Sequence, residues 1–146
     1  MTTIAYDGKT LSVDSLASSG HITSRTHQKL FLGVGEFSAV AVCGSTAVYH
    51  PIVAWLKAGA DPEAWSESWD AAAWCVQKSG EVVRYVSGYP EDVTSPDSDG
   101  SGGEYAIGAM IAGASATRAV EISASLDPFT GGDIRTFDIE SARAAA

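Results

Sequence analysis

Short apolar runs, each broken by a polar turn that carries glycine, mark the first third of the chain as strands. Thr3–Tyr6 and Thr10–Val13 flank Asp7-Gly8-Lys9, which predicts a β-hairpin. Lys29–Val34 and Phe37–Cys43 flank Gly35-Glu36 in the same way, with the polar segment 15–28 (SLASSGHITSRTHQ) as connector. Beyond Ser45, a good N-cap, the pattern turns helical through Trp55-Leu56-Lys57 to a stop at Gly59, with Pro51 kinking the helix or delaying its start. Asp61-Pro62-Glu63 reads as a second helix start, with Asp61 as N-cap and Pro62 in the first turn. Ala71–Gln77 and Glu81–Val86 flank Lys78-Ser79-Gly80, a third hairpin. From Tyr89 to Gly103 the chain is rich in Pro, Asp, Ser and Gly and reads as loop. Glu104–Ala114 and Ala116–Leu126 read as helices, Gly132–Ile139 as a strand, and the end as an Ala-rich tail. Strands, helices, strands, helices and a strand fit an α+β fold, two antiparallel sheets stacked face to face between helical layers, in one domain over 1–146.

Composition narrows the partners. The 146 residues are enough for a real core, and 45% hydrophobic against 18% charged residues is ordinary for a globular domain. Eighteen acidic against nine basic residues leave a formal net charge of −9. That argues against nucleic acid and against an anionic membrane, because phosphate binding needs Lys and Arg to displace counterions. No apolar run approaches the roughly 20 residues of a membrane-spanning helix. The N-terminus lacks the basic-then-apolar layout of a secretion signal. Cys43 and Cys75 lie far apart in apolar segments and read as buried free thiols, and the chain has no Asn to accept a glycan. A reducing, cytoplasmic setting is expected.

Three motifs mislead. Gly8-Lys9-Thr10 resembles the end of a P-loop, but Thr3 stands where that motif needs glycine and a strand follows instead of a helix. Asp97-Ser-Asp99-Gly-Ser101-Gly102 matches the first half of a calcium loop whose bidentate Glu would fall at Gly108. His21, His27 and His50 show no metal-ligand spacing, so neither a metal nor a cofactor is expected.

The Thr2-Thr3 pair behind Met1 carries more chemistry. A threonine hydroxyl is a poor nucleophile at neutral pH unless a base sits beside it, and a free α-amine with a pKa near 8 can be that base. Removal of Met1 would make Thr2 such a residue, and methionine aminopeptidases act where the second residue is small. Asp14 ends the second strand and Lys29 begins the third. A lysine against the nucleophile lowers the pKa of the neighbouring amine and hydroxyl, and an aspartate keeps that lysine charged and oriented. Gly100-Ser101-Gly102-Gly103 directly before a helix offers backbone N–H donors and the relay hydroxyl of Ser101.

Taken in order, these pieces resemble the proteasome β-subunits and bacterial HslV-type peptidases, N-terminal-nucleophile (Ntn) hydrolases with a four-layer αββα sandwich. Mature members begin Thr-Thr, as Thr2-Thr3 would here. Asp14 matches their acidic residue after the first hairpin, and Lys29 in QKLF matches their catalytic lysine. GSGGEYAIGA matches the glycine loop and helix start, which places the supporting serine at Ser101. Asp127-Pro-Phe-Thr130-Gly131 matches an Asp-x-x-Ser-Gly element with Thr in place of Ser, and VCGSTA resembles the HslV-type AGGTA segment. The first hairpin and the chain are short for the family. This compact form resembles peptidase-like proteins of bacteriophages or prophages.

The resemblance implies a threonine endopeptidase. Thr2 attacks, its amine takes the proton, Lys29 tunes both, Asp14 positions Lys29, and Ser101, Asp127 and Thr130 hold the amine and a water. Ala41, where the family's oxyanion glycine falls, is expected to bind substrate together with Ala39, Cys43 and Gly44, and apolar neighbours that include Val48 point to small or apolar side chains. The substrate class is a peptide or unfolded protein, the assembly a homo-oligomeric ring, and the partner an ATP-dependent unfoldase. The Trp-rich stretch with Trp65, Trp69 and Trp74 reads either as ring interface or as core. Two other functions stay open: a catalytically inactive structural or interaction subunit, and a small-substrate amidase on the same fold.

Overall fold

The structure is a computed structural model that describes residues 1–19 and 21–146. Strands β1 (Thr3–Tyr6) and β2 (Thr10–Val13) form the first hairpin, with Ile4 opposite Val13 and Tyr6 opposite Leu11. Asp7 fixes its turn by accepting the N–H groups of Lys9 and Thr10, each at 2.8 Å. A second small hairpin follows, β3 (Ala17–Ser19) with β4 (Ile22–Ser24), then β5 (Leu30–Val34) and β6 (Phe37–Gly44). Helix α1 (Tyr49–Lys57) leads to β7 (Ala71–Gln77), β8 (Val82–Val86), β9 (Tyr89–Asp92) and β10 (Asp97–Gly100). Helices α2 (Gly103–Ile111) and α3 (Ala116–Leu126), strand β11 (Arg135–Asp138) and helix α4 (Ile139–Ala145) complete the chain. The larger sheets have the orders β10-β1-β2-β11 and β5-β6-β7-β8-β9, and every pairing is antiparallel.

The two-residue period of the strands decides what each layer buries. Ile4, Tyr6, Leu11 and Val13 point from the first sheet into a core shared with Ala39, Ala41, Cys43, Ala72, Trp74 and Val76 of the second. Small residues at 39, 41 and 72 leave room there for Trp74, which is fully buried. Ala5 faces the other way, onto Ala106, Met110, Ala119 and Val120 of α2 and α3. Val40, Val42, Ala73 and Cys75 turn outward onto Ile52, Trp55 and Leu56 of α1. Helix, sheet, sheet, helix is the αββα sandwich that the sequence pattern predicts, and α4 inserts Ile139 and Ala142 into the inter-sheet core.

Several local readings change. The segment 89–103, expected as loop, carries β9 and β10, each the edge strand of a larger sheet. Edge strands tolerate Pro90 and several carboxylates because one side of the ladder is open to water. The expected connector 15–28 holds the exposed β3–β4 hairpin; its Gly20 lies outside the described residues. The helix after Ser45 begins as a 3-10 turn, Thr46–Val48, with Ser45 capping Ala47, and Pro51 sits in the first turn of α1, where its missing N–H costs nothing. Asp61 does cap Glu63, but only the 3-10 turn Pro62–Ala64 follows. Asp97–Gly100 is strand rather than calcium loop, with the Asp99 carboxylate accepting the Trp74 indole N–H at 3.0 Å. Trp65 and Trp69 stack edge-on in series with Trp55, at 5.0 and 5.3 Å between ring centroids, so the tryptophan stretch packs inward. The tail is helical. Among the described residues, no helix is long and apolar enough to cross a membrane.

Candidate active site

Strand β1 runs through the middle of its sheet, between β2 and β10, and so holds the start of the chain in the core: Thr2 is 1% exposed and Thr3 fully buried. Two hydrogen-bonded groups converge on it.

The first is built on Asp14, just past β2. Its Oδ1 accepts the Lys29 ammonium at 3.0 Å and the Thr3 N–H at 3.1 Å, and its Oδ2 accepts the N–H groups of Gly131 at 3.1 Å and Leu16 at 3.4 Å. Both side chains of the Asp14–Lys29 pair are shut off from solvent. Lys29 Nζ donates a second bond, at 2.8 Å, to the Met1 carbonyl oxygen. The ammonium therefore lies at the bond that joins Met1 to Thr2. Burial pushes the Lys29 pKa down and Asp14 pulls it back, leaving it below the ordinary lysine value.

The second group is built on Asp127, the C-cap of α3. Its Oδ2 accepts both Ser101 Oγ and Thr130 Oγ1, each at 2.6 Å, and its Oδ1 accepts the Phe129 N–H at 3.0 Å. Burial would raise this carboxyl, but the three donors outweigh it and hold the pKa below the usual carboxylate value. Since the one proton of Thr130 goes to Asp127, Thr3 Oγ1 must donate to Thr130 Oγ1 across their 2.6 Å separation. Ser101 Oγ also stands 3.4 Å from the Thr2 carbonyl oxygen.

The glycine loop serves close approach. A Cβ on Gly100, whose φ is +88°, would strike the Thr2 carbonyl, and one on Gly102 would strike Thr3 Oγ1. Only glycine lets β10 and the start of α2 press this tightly against β1.

Thr2, Asp14, Lys29, Ser101, Asp127 and Thr130 are thus brought together, while the four expected substrate-binding residues divide. Cys43 and Gly44 line a cavity of about 600 Å³ beside Thr2, together with Arg84, Asp99 and Ser101. Ala39 and Ala41 do not reach it; both are fully buried in the inter-sheet core. The Val42 N–H donates to the Lys29 carbonyl, so by strand alternation the Ala41 N–H turns the other way, toward Trp74 on β7. Val48 packs on the α1 side. A smaller cavity of about 240 Å³ lies on the other side of Met1, between Leu16, Ala17, Ser45, Thr46 and Phe129. Another cavity, about 660 Å³ among Glu36, Phe37, Lys78 and Asp92, holds none of the expected site residues.

Tyr49 escapes the sequence reading. It opens α1, is 1% exposed, and its hydroxyl lies 2.9 Å from Thr2 Oγ1 and 3.3 Å from the Gly44 carbonyl oxygen. In sequence it is one more aromatic residue at a helix start, indistinguishable from core. Burial pushes its phenol up to about 12.

No protein-family model matches the chain, and no curated protein does either. Solved structures do. The BPH protein of Thiobacillus denitrificans in complex with epoxomicin aligns at 18% identity and a TM-score of 0.68, over 93% of this chain and 96% of that one. A second BPH structure from the same organism aligns at 19% identity and 0.68, over 93% and 95%. The eukaryotic HslV of Trypanosoma brucei aligns at 18% identity and 0.66, over 94% and 98%. The fold of this chain is that of the HslV-type peptidases.

Proposed function

We propose that the chain is a threonine-type peptidase whose nucleophile is Thr2, exposed by removal of Met1. The observation that carries this reading is the buried Asp14–Lys29 pair, which delivers an ammonium to the junction of Met1 and Thr2 at 2.8 Å. Such a charge has a steep burial cost, and it is tolerated where it acts on a neighbouring group. Thr2 Oγ adds to a peptide carbonyl carbon, and its proton passes to the Thr2 amine. Lys29 favours the neutral amine and steadies the charge gathering on Oγ. Collapse of the tetrahedral adduct expels the leaving amine with that proton, and water then hydrolyses the ester.

The oxyanion donor in this reading is the Gly44 N–H in place of Ala41. Gly44 borders the Thr2 cavity, and its N–H belongs to the side of β6 that β5, starting at Leu30, no longer covers. One such donor is commonly worth about 3 kcal/mol in the transition state. The cavity carries Asp70, Arg84, Glu91 and Asp99, so substrate side chains there meet charge as well as the apolar Cys43 and Ala72.

A peptide or unfolded protein is the substrate class, handled inside a homo-oligomeric ring. Tyr105 and Ile111 on α2 and Leu126 at the end of α3 are exposed apolar side chains that support self-association. An ATP-dependent unfoldase feeding that ring belongs to the same reading.

Epoxomicin, the ligand named in the BPH complex, is the direct probe. Incubated with the purified full chain and read by intact mass, it is expected to give a chain without Met1 and with one adduct, mapped to Thr2. Absence of an adduct overturns the peptidase and leaves the non-catalytic subunit and the small-substrate amidase, which hydrolysis of small amides then separates. The pH profile carries a second signature. The amine must be neutral, so kcat/KM rises with pH as the amine loses its proton. Lys29 must stay charged, so activity falls again on the alkaline side, below the ordinary lysine value of about 10.4, because burial has lowered its pKa. Rates on a fluorogenic peptide across this range check both limbs; a profile flat from neutral to alkaline pH contradicts them.

A further inference from the structure

We infer that the Tyr49 phenol is a catalytic group of this site, donating a hydrogen bond to Thr2 Oγ1 as negative charge gathers on that atom. The inference rests on Thr2 being the nucleophile and adds a residue to it. It begins from a count of protons. Tyr49 has one, and its oxygen faces two others: the Gly44 carbonyl at 3.3 Å, which can only accept, and Thr2 Oγ1 at the closer 2.9 Å. With Met1 attached, both bonds are made when Tyr49 donates to Gly44 and Thr2 donates to Tyr49. Once the amine is free, the Thr2 proton has a better acceptor. Tyr49 then turns its own proton from the longer bond to the shorter one.

The chemical step balances without any proton leaving Tyr49. The Oγ–H bond breaks and the proton goes to the Thr2 amine. The Oγ lone pair forms the bond to the carbonyl carbon, and the π pair moves to the carbonyl oxygen. The phenol only donates a hydrogen bond, first to Oγ as it loses its proton and again as Oγ departs during hydrolysis of the ester. Two features suit it to that task. Burial keeps it protonated well beyond neutral pH, so it is a constant donor and not a competing base. Its ring is wedged among the α1 core and against His27, at 5.9 Å between centroids, so the hydroxyl has little freedom to wander. The helix start thus brings Tyr49 to the reacting atom from the side of the second sheet, the side from which Lys29, just before β5, also comes.

Tyr49→Phe tests this, since phenylalanine fills the same space without the hydroxyl. The expected result is a ten- to hundredfold slower adduct formation with epoxomicin and an equal fall in kcat on a fluorogenic peptide. KM stays within twofold of wild type, and the positions of both limbs of the pH profile are unchanged. Labelling and kcat within twofold of wild type overturn the role, and so does a raised KM with unchanged kcat, which is what mere packing would give. A wild-type chain that takes no adduct overturns the Thr2 reading and the Tyr49 role with it, so the two failures are told apart. Should the Phe variant lose its cooperative melt, 3,5-difluorotyrosine placed at 49 keeps the shape and acidifies the hydroxyl. It is expected to bring the alkaline fall in rate to lower pH, and a profile identical to wild type overturns the inference.

Discussion

Thr2→Ala is expected to give a protein that folds normally and hydrolyses no peptide. The side chain lost is small and buried, and the bond removed is the one to Tyr49, whose hydroxyl keeps the Gly44 carbonyl as partner. The stability cost is therefore about 1 kcal/mol. Alanine is also small enough for Met1 to be removed, so the variant still presents a free amine beside Lys29 and lacks only the attacking oxygen. Loss of a nucleophile that works as a unit with its base costs about 10⁴-fold or more in kcat. Thr2→Ser, which restores the hydroxyl without the methyl, is expected to recover part of the rate. Peptide hydrolysis measured beside a thermal melt decides the matter: activity in Thr2→Ala equal to wild type removes Thr2 from the mechanism.

Asp14→Ala is expected to do more damage to the fold. Asp14 is fully buried, holds the Lys29 charge, and receives N–H donors from Thr3, Leu16 and Gly131, so it joins β1, the connector and the segment after α3 at one carboxylate. Removing it strands a buried ammonium and the backbone donors that faced it, a loss of about 3–5 kcal/mol. Lys29 would then shed its proton, its pKa already pressed down by burial, and catalysis would fail even in the folded fraction. The pairing can be isolated: Asp14→Ala combined with Lys29→Met is expected to cost less than the sum of the two single changes, because no charge is then left unpaired. Denaturant midpoints of the three variants test it, and strict additivity would show that the two side chains are not coupled.

How much of this was legible in the sequence follows from where the information is stored. The hairpins β1–β2, β5–β6 and β7–β8 and helix α3 announce themselves, because their signals are local: apolar runs, a glycine in the turn, a serine cap. The edge strands β9 and β10 do not, since Pro90, Asp97 and Asp99 break every strand rule that applies to a central position; pairing with β8 and β1 overrides it. The same split runs through the site. Asp14 and Lys29 stand out as charges at strand ends and Ser101 as the hydroxyl of a glycine loop, whereas Asp127 and Thr130 are legible only through the family resemblance. Tyr49 lies 47 residues from the hydroxyl it touches, and nothing local distinguishes it. The proposed move of the oxyanion donor from Ala41 to Gly44 has a similar cause. Counting along the chain finds a position on β6, but which N–H is free depends on where β5 stops pairing, and that is a property of the sheet.

Met1 is 60% exposed and borders both the larger and the smaller cavity beside Thr2, while Thr3, two residues on, is locked opposite Gly100. Whatever precedes Thr2 must therefore leave the molecule through the ground a substrate would occupy. In the proposed peptidase, an affinity tag or leader on that side would make the chain its own competitive inhibitor, as well as masking the amine. Work with this protein calls for labels on α4 at the opposite terminus, where Ala144 to Ala146 are exposed and far in the sequence from everything that reacts.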